Sequence, residues 1–217
     1  MIKAVIFDKD GLIIDSEPIH SKAFEVVLRS YGKVPKLFPN GLVHIVGLRG
    51  DQSWKLLKEK YDIKENIEVL RKKQRENYSK LLKSKMTLMP GVLSILKLIK
   101  VKKLKTAIAS SSIRKHILHV INTLNLSTYF DVIVSGQDVV QSKPDPQIFL
   151  VTAEKLGLKV SNCLVFEDSE TGVQAAKRAG MKVIAVPTKH TRNHDFSRAD
   201  MIINSLEEMD WGIISSF

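Results

Sequence analysis

Apolar positions follow two different rhythms along this chain. Ile2, Ala4, Val5, Ile6 and Phe7 make a short apolar run that stops at Asp8, with Asp10 and Gly11 just behind. A run this short, rich in Val, Ile and Phe and bounded by a turn signal, predicts a buried parallel strand. Between about 17 and 86 the rhythm is helical. Phe24, Val27 and Leu28 predict one amphipathic helix, and Trp54 with Leu57 a second that turns Lys55 and Glu59 to solvent. Ile67, Leu70, Tyr78, Leu81 and Leu82 continue the helical spacing, and Pro35, Pro39, Asn40 and Gly41 mark a loop between the first two helices. From Pro90 onward, short apolar runs at 106–109, 132–135, 163–166, 183–186 and 201–203 alternate with helical stretches near 92–103, 113–124, 146–156 and 170–179. Gly157 and Gly180 stand where helix C-caps belong.

Strand–helix alternation predicts an α/β fold: a parallel sheet covered by helices on both faces, in three layers. The first strand belongs to that sheet, so the helical segment is an insertion after it. The expected division is an α/β core of residues 1–15 and 87–217 and an α-helical cap domain of residues 16–86. An insertion at that point leaves and re-enters near the sheet's active edge, the position of a lid.

A chain of 217 residues is long enough for one well-buried domain, or a core with a smaller inserted one. No apolar stretch approaches the ~20 residues of a membrane span, and Asp8 arrives too early for a signal-peptide core. A cytoplasmic location without membrane association is expected. The single cysteine, Cys163, lies in an apolar run and reads as a core residue. The net charge of +11 is uneven: residues 16–86 hold 16 Lys and Arg against 8 Asp and Glu. These lysines recur on helical faces without interleaved aromatics, which argues against nucleic acid and for a basic face that attracts phosphorylated metabolites.

Candidate chemistry gathers at four strand ends. Open parallel sheets place their chemistry just beyond the carboxyl ends of their strands. The first strand ends at Asp8, and Gly11 lets the chain turn so that Asp10 can face the same cleft. Two carboxylates this close repel unless a cation lies between them or one holds a proton. An EF-hand does not fit, because its glycine comes at the sixth loop position and here it comes at the fourth. The second end carries Ser110, Ser111 and Ser112 before a helix, either an ordinary serine cap or an anion site. The third is Ser142-Lys143-Pro144-Asp145-Pro146, where Pro144 biases Lys143 towards extended backbone and Asp145 and Pro146 suit N-cap and N1 of a helix. Lys143 is then a solvated loop lysine or a partner for phosphate or carboxylate. The fourth, Glu167-Asp168-Ser169, either complements a helix dipole or joins Asp8 in an all-oxygen site for a hard cation, Mg2+ above all. Each plain reading is adequate alone. Four such ends in this order are not explained that way.

Together, Asp8-Lys9-Asp10-Gly11, Ser110, Lys143 and Glu167-Asp168 resemble the motifs of the haloacid dehalogenase superfamily over essentially the whole chain. The helical insertion, Leu12–Pro18 and Val46-Gly47-Leu48-Arg49 resemble the subfamily of β-phosphoglucomutase and small sugar phosphatases. The resemblance implies a Rossmann-like core with a helical cap, and Asp8 as nucleophile forming an aspartyl-phosphate. It implies Asp10 as general acid/base, Ser110 and Lys143 on the transferring phosphoryl group, and Ser111 beside them. Magnesium would be held by the Asp8 carboxylate, the Asp10 carbonyl and Asp168, with Glu167 a ligand or a partner of one. Gly47, Arg49 and His20 on the cap side, and Arg114 in the core, are the remaining candidates for substrate binding. The mutase uses a cap lysine, which here falls at Gln74 beside Lys73, and a Lys-Asn pair, which here falls at Ile113 and Arg114. A monomeric phosphatase of small sugar phosphates is therefore expected, with β-phosphoglucomutase activity, interconverting β-glucose 1-phosphate and glucose 6-phosphate, as the alternative.

Overall fold

The first strand, β1 (Ala4–Phe7), is apolar and buried at every position. It belongs to a computed structural model that describes residues 1–35, 50–82 and 86–217. Two compact units make up the chain: Met1–Asp15 with Thr87–Phe217, and Ser16–Met86. The loop residues Pro39, Asn40 and Gly41 and the candidates Gly47 and Arg49 lie outside the described residues.

In the smaller unit, α1 (Glu17–Ser30) and α2 (Gly50–Tyr61) both pack on α3 (Ile67–Leu81). Phe24, Val27, Leu28, Trp54, Leu57, Ile63 and Leu70 form its core, the apolar stripe that the 3.6-residue period lays on one face of each helix. Lys55 and Glu59 are exposed, as the spacing requires. Glu25, buried on α1, is held by Lys22 at 2.8 Å and Arg29 at 2.7 Å.

The larger unit contains α4 (Val92–Val101), β2 (Lys105–Ser110), α5 (Arg114–Thr123), β3 (Val132–Ser135) and α6 (Gln147–Leu156). Beyond these come β4 (Cys163–Glu167), α7 (Glu170–Arg178), β5 (Lys182–Ala185), β6 (Met201–Ile202) and the short α8 (Trp211–Ser215). Six parallel strands form one sheet in the order β3-β2-β1-β4-β5-β6. The chain winds outward from β1 to β3, then crosses to β4 and winds the other way. Right-handed crossovers put the helices of the two directions on opposite faces. Ala4, Ile6, Ala107, Ala109 and Val165 accordingly meet Ile148, Phe149 and Ala153 of α6 and Val173 and Ala176 of α7 in one core cluster. The alternate strand residues point the other way, where the Phe7 ring lies 5.3 Å from that of Phe166 and 6.0 Å from that of Phe130. Cys163 is buried in the core as a free thiol, and burial pushes its pKa up to about 11.

The reversal of strand order falls between β1 and β4, where doubly wound sheets open a crevice beyond their carboxyl ends. Beside it the chain departs from the larger unit and returns to it: Ile14 bridges Leu88, and Met89 N–H donates to the Ile13 carbonyl at 2.9 Å.

Candidate active site

Asp8 is the first residue beyond β1, and its N–H donates to the Phe166 carbonyl of β4 at 3.1 Å. That register sets Asp8 beside Glu167 and Asp168 at the switch point. Lys143 Nζ closes the group, donating to Asp8 Oδ1 at 2.6 Å, Glu167 Oε1 at 2.5 Å and the Ala109 carbonyl at 3.1 Å. Its side chain is 7 % exposed and lies over the Phe149 ring, so it is not a solvated loop lysine. The other Asp8 oxygen accepts from the Asp10 N–H at 2.8 Å.

Asp10 is gripped at both oxygens. Lys9 Nζ stands 2.7 Å from Oδ1, and Ser112 Oγ donates to Oδ2 at 2.8 Å. Ser112 is therefore not a helix cap. Ile113 occupies the N-cap of α5 without a side-chain bond, and Ser110, buried at the end of β2, accepts from the Ser112 N–H at 3.2 Å. Gly136 seats this loop: its N–H donates to the Ser112 carbonyl at 3.0 Å, and a β-carbon there would stand 2.4 Å from the Ser111 carbonyl oxygen. α6 begins at Gln147, one residue later than the spacing predicts. Asp145 Oδ1 accepts the Gln147 N–H at 2.9 Å, and the Lys143–Pro144 peptide is cis.

Glu167 spends its second oxygen on the Ser169 N–H at 3.1 Å and hydroxyl at 2.9 Å. Asp168 is different. It is buried against Gly11, whose φ of +79° and absent side chain make the room, and no hydrogen-bond donor among the described residues reaches it. A β-carbon on Gly11 would lie 2.1 Å from Asp168 Oδ2.

Two buried carboxylates thus hold one ammonium, and a third, Asp168, lies beside them without a donor among the described residues. Burial, together with Glu167 and Asp10, lifts the Asp8 pKa to about 7 against the pull of Lys143. Burial and the neighbouring Glu167 and Asp8 push Asp168 well above the usual carboxylate range. Burial works to lower the Lys143 pKa, but Asp8 and Glu167 outweigh it and hold the ammonium firmly charged. Excess negative charge on buried carboxylate oxygens suits a hard divalent cation. Among the described residues, no three His, Cys, Asp or Glu side chains converge as a ready cage. Magnesium does not require one, since it keeps several waters and takes one or two carboxylates plus substrate phosphate.

Of the remaining core candidates, neither is bonded to this group. Ser111 is exposed on the loop after β2. Arg114 turns its guanidinium to Asp138 at 2.9 Å and to the Ile133 carbonyl at 3.0 Å. His20, in the smaller unit, stacks on Tyr78 with ring centroids 4.1 Å apart. Lys9 and Ser112 were not singled out as partners of Asp10 by sequence reasoning. The one available signal was a lysine at the tip of an otherwise apolar run.

Fold and site together define a doubly wound α/β enzyme with an oxygen-rich, lysine-balanced centre. The chain belongs to the haloacid dehalogenase-like hydrolase family, whose profile matches residues 5–186. It is 36% identical over 184 residues to a phosphorylated carbohydrates phosphatase of Thermotoga maritima, covering 84% of each chain. It is 35% identical to hexitol phosphatase B of Escherichia coli, covering 96% of this chain and 94% of that one. Among solved structures, a β-phosphoglucomutase from Clostridium difficile superposes with a TM-score of 0.83 at 25% identity, covering 100% of this chain and 96% of the other.

Proposed function

We propose that this protein is a magnesium-dependent phosphatase of small phosphorylated metabolites, sugar phosphates above all, acting through an aspartyl-phosphate on Asp8. The observation that carries the reading is Lys143 Nζ held between the buried Asp8 and Glu167, with buried Asp168 beside them and Asp10 partly open to solvent.

In the first step an Asp8 carboxylate oxygen attacks phosphorus, the bond from phosphorus to the sugar oxygen breaks, and Asp10 gives that oxygen a proton. In the second, water attacks phosphorus and Asp10 takes its proton. The bond to Asp8 breaks and inorganic phosphate leaves. A carboxylate approaching a phosphate dianion meets a repulsion of about 4 kcal/mol per charge pair at ~4 Å and an effective dielectric of ~20. Lys143 offsets part of it, and the Ser110 region offers donors to the transferring oxygens. Asp8, Asp168 and the Asp10 carbonyl would hold Mg2+, with Glu167 given mainly to orienting Lys143. Bound there, the ion supplies charge neutralisation at the phosphoryl group.

A mutase must hold a second phosphate while its intermediate reorients. Gln74 and Ile113 lack the cationic group for this, and the Arg114 guanidinium already gives one nitrogen to Asp138. The relatives named as phosphatases of phosphorylated carbohydrates and hexitols support the same choice. Arg49, Gly47 and His20 remain the proposed substrate contacts of the helical unit, read as a cap. The test is a panel of hexose and hexitol phosphates with magnesium. Release of inorganic phosphate should far outrun conversion of β-glucose 1-phosphate to glucose 6-phosphate in the presence of a bisphosphate primer. Faster isomerisation makes the protein a mutase.

A further inference from the structure

Lys9 is a buried charge that the reaction above does not use. Its side chain is 0 % exposed, and its Nζ lies 2.7 Å from Asp10 Oδ1. Burying an ammonium is costly, and a buried ion pair can commonly be replaced by apolar side chains of similar volume with stability unchanged or improved. Position 9 directly follows the buried strand residues and Asp8, a setting that suits an apolar residue. A lysine in such a setting points to a use for its charge, and Asp10 meets that charge directly.

Asp10 Oδ1 faces Lys9 Nζ, while Oδ2 accepts from Ser112 Oγ at 2.8 Å on the loop after β2. Two cation or hydroxyl partners on separate segments fix the rotation of the carboxylate. The backbone is fixed as well. The Lys9 carbonyl accepts from the Ile13 and Ile14 N–H groups at 3.0 and 3.2 Å, and the Asp10 N–H is committed to Asp8 Oδ2 at 2.8 Å. An acid/base group is effective only when its oxygen is aimed at the proton it exchanges.

We propose that Lys9 is a positioning residue for Asp10, fixing with Ser112 the direction in which the Asp10 carboxylate faces the leaving oxygen. This rests on the reading of Asp10 as general acid/base. The test compares the magnesium-loaded wild type with Lys9→Met and Ser112→Ala on a hexose phosphate, whose leaving oxygen needs a proton, and on p-nitrophenyl phosphate, whose leaving group does not. For Lys9→Met, kcat on the hexose phosphate should fall about 10- to 100-fold, while KM and the p-nitrophenyl rate stay within about 3-fold. Its Tm should fall only modestly, because Asp10 stays partly open to solvent and bonded to Ser112, and Ser112→Ala should show the same leaving-group selectivity. Equal losses on both substrates, an unchanged hexose phosphate rate, or a Lys9→Met protein that fails to fold would each overturn the role given to Lys9. A wild type inert towards both substrates overturns the phosphatase reading itself, and this role with it.

Discussion

Asp8 and Asp10 share one turn of chain but not one environment. Asp8 is buried and bound by Lys143, whereas the Asp10 side chain keeps 28% of its surface open while held by Lys9 and Ser112. The first arrangement suits a nucleophile and the second a proton carrier. Asp10→Ala should therefore slow hexose phosphate hydrolysis by about 10²- to 10⁴-fold. Its effect on p-nitrophenyl phosphate should be much smaller, as steady-state kinetics on both would show; equal losses would leave Asp10 a structural residue. Asp8, Glu167 and Asp168 were legible in the sequence because strand ends are legible there, and Lys143, well beyond the end of β3, because the Lys-Pro-Asp-Pro run marks the approach to α6. Which oxygen each donor would meet was not. The Ser112–Asp10 bond spans 102 residues and follows from the β1–β2 register, which no local pattern encodes.

At the scale of elements, the run at 132–135 matches β3 residue for residue, while local polar chemistry moved helix starts. Three serines before α5 promised a cap, but the Ser112 hydroxyl is used by Asp10 and the helix begins at Arg114 behind Ile113. What ties α5 to the end of β3 is Asp138. It accepts from the Ser135 N–H at 2.7 Å and hydroxyl at 2.5 Å, and from Arg114 at 2.9 Å. Burial works to raise its pKa, but these three donors hold it well below the usual carboxylate range. A group whose folded pKa is depressed adds stability above its unfolded pKa and loses it as pH falls towards the folded value. Asp138→Asn should thus cost about 1–3 kcal/mol at pH 7, measured by denaturant unfolding. The gap from wild type should narrow below about pH 4, where an unfolded aspartate takes up its proton. A gap that does not change with pH would show that the charge of Asp138 contributes nothing to this junction.

Across the whole molecule, strand–helix alternation makes the parallel sheet legible, but not its order. The reversal after β3 that brings β4 beside β1 is a choice between two crossover directions, and the intervening loop carries no signal for it. That choice builds the site, because it sets Glu167 and Asp168 next to Asp8 rather than at a distant edge. The surplus of negative charge around Lys143 follows from it, and so does the proposal that Asp8 takes the phosphoryl group. The most direct measurement is acid quench during turnover of a labelled hexose phosphate with magnesium, followed by peptide mapping. One phosphoryl group should be found on Asp8, and none should form in Asp8→Asn, which should be folded and inactive. Label on another residue, or undiminished turnover by Asp8→Asn, would contradict the account.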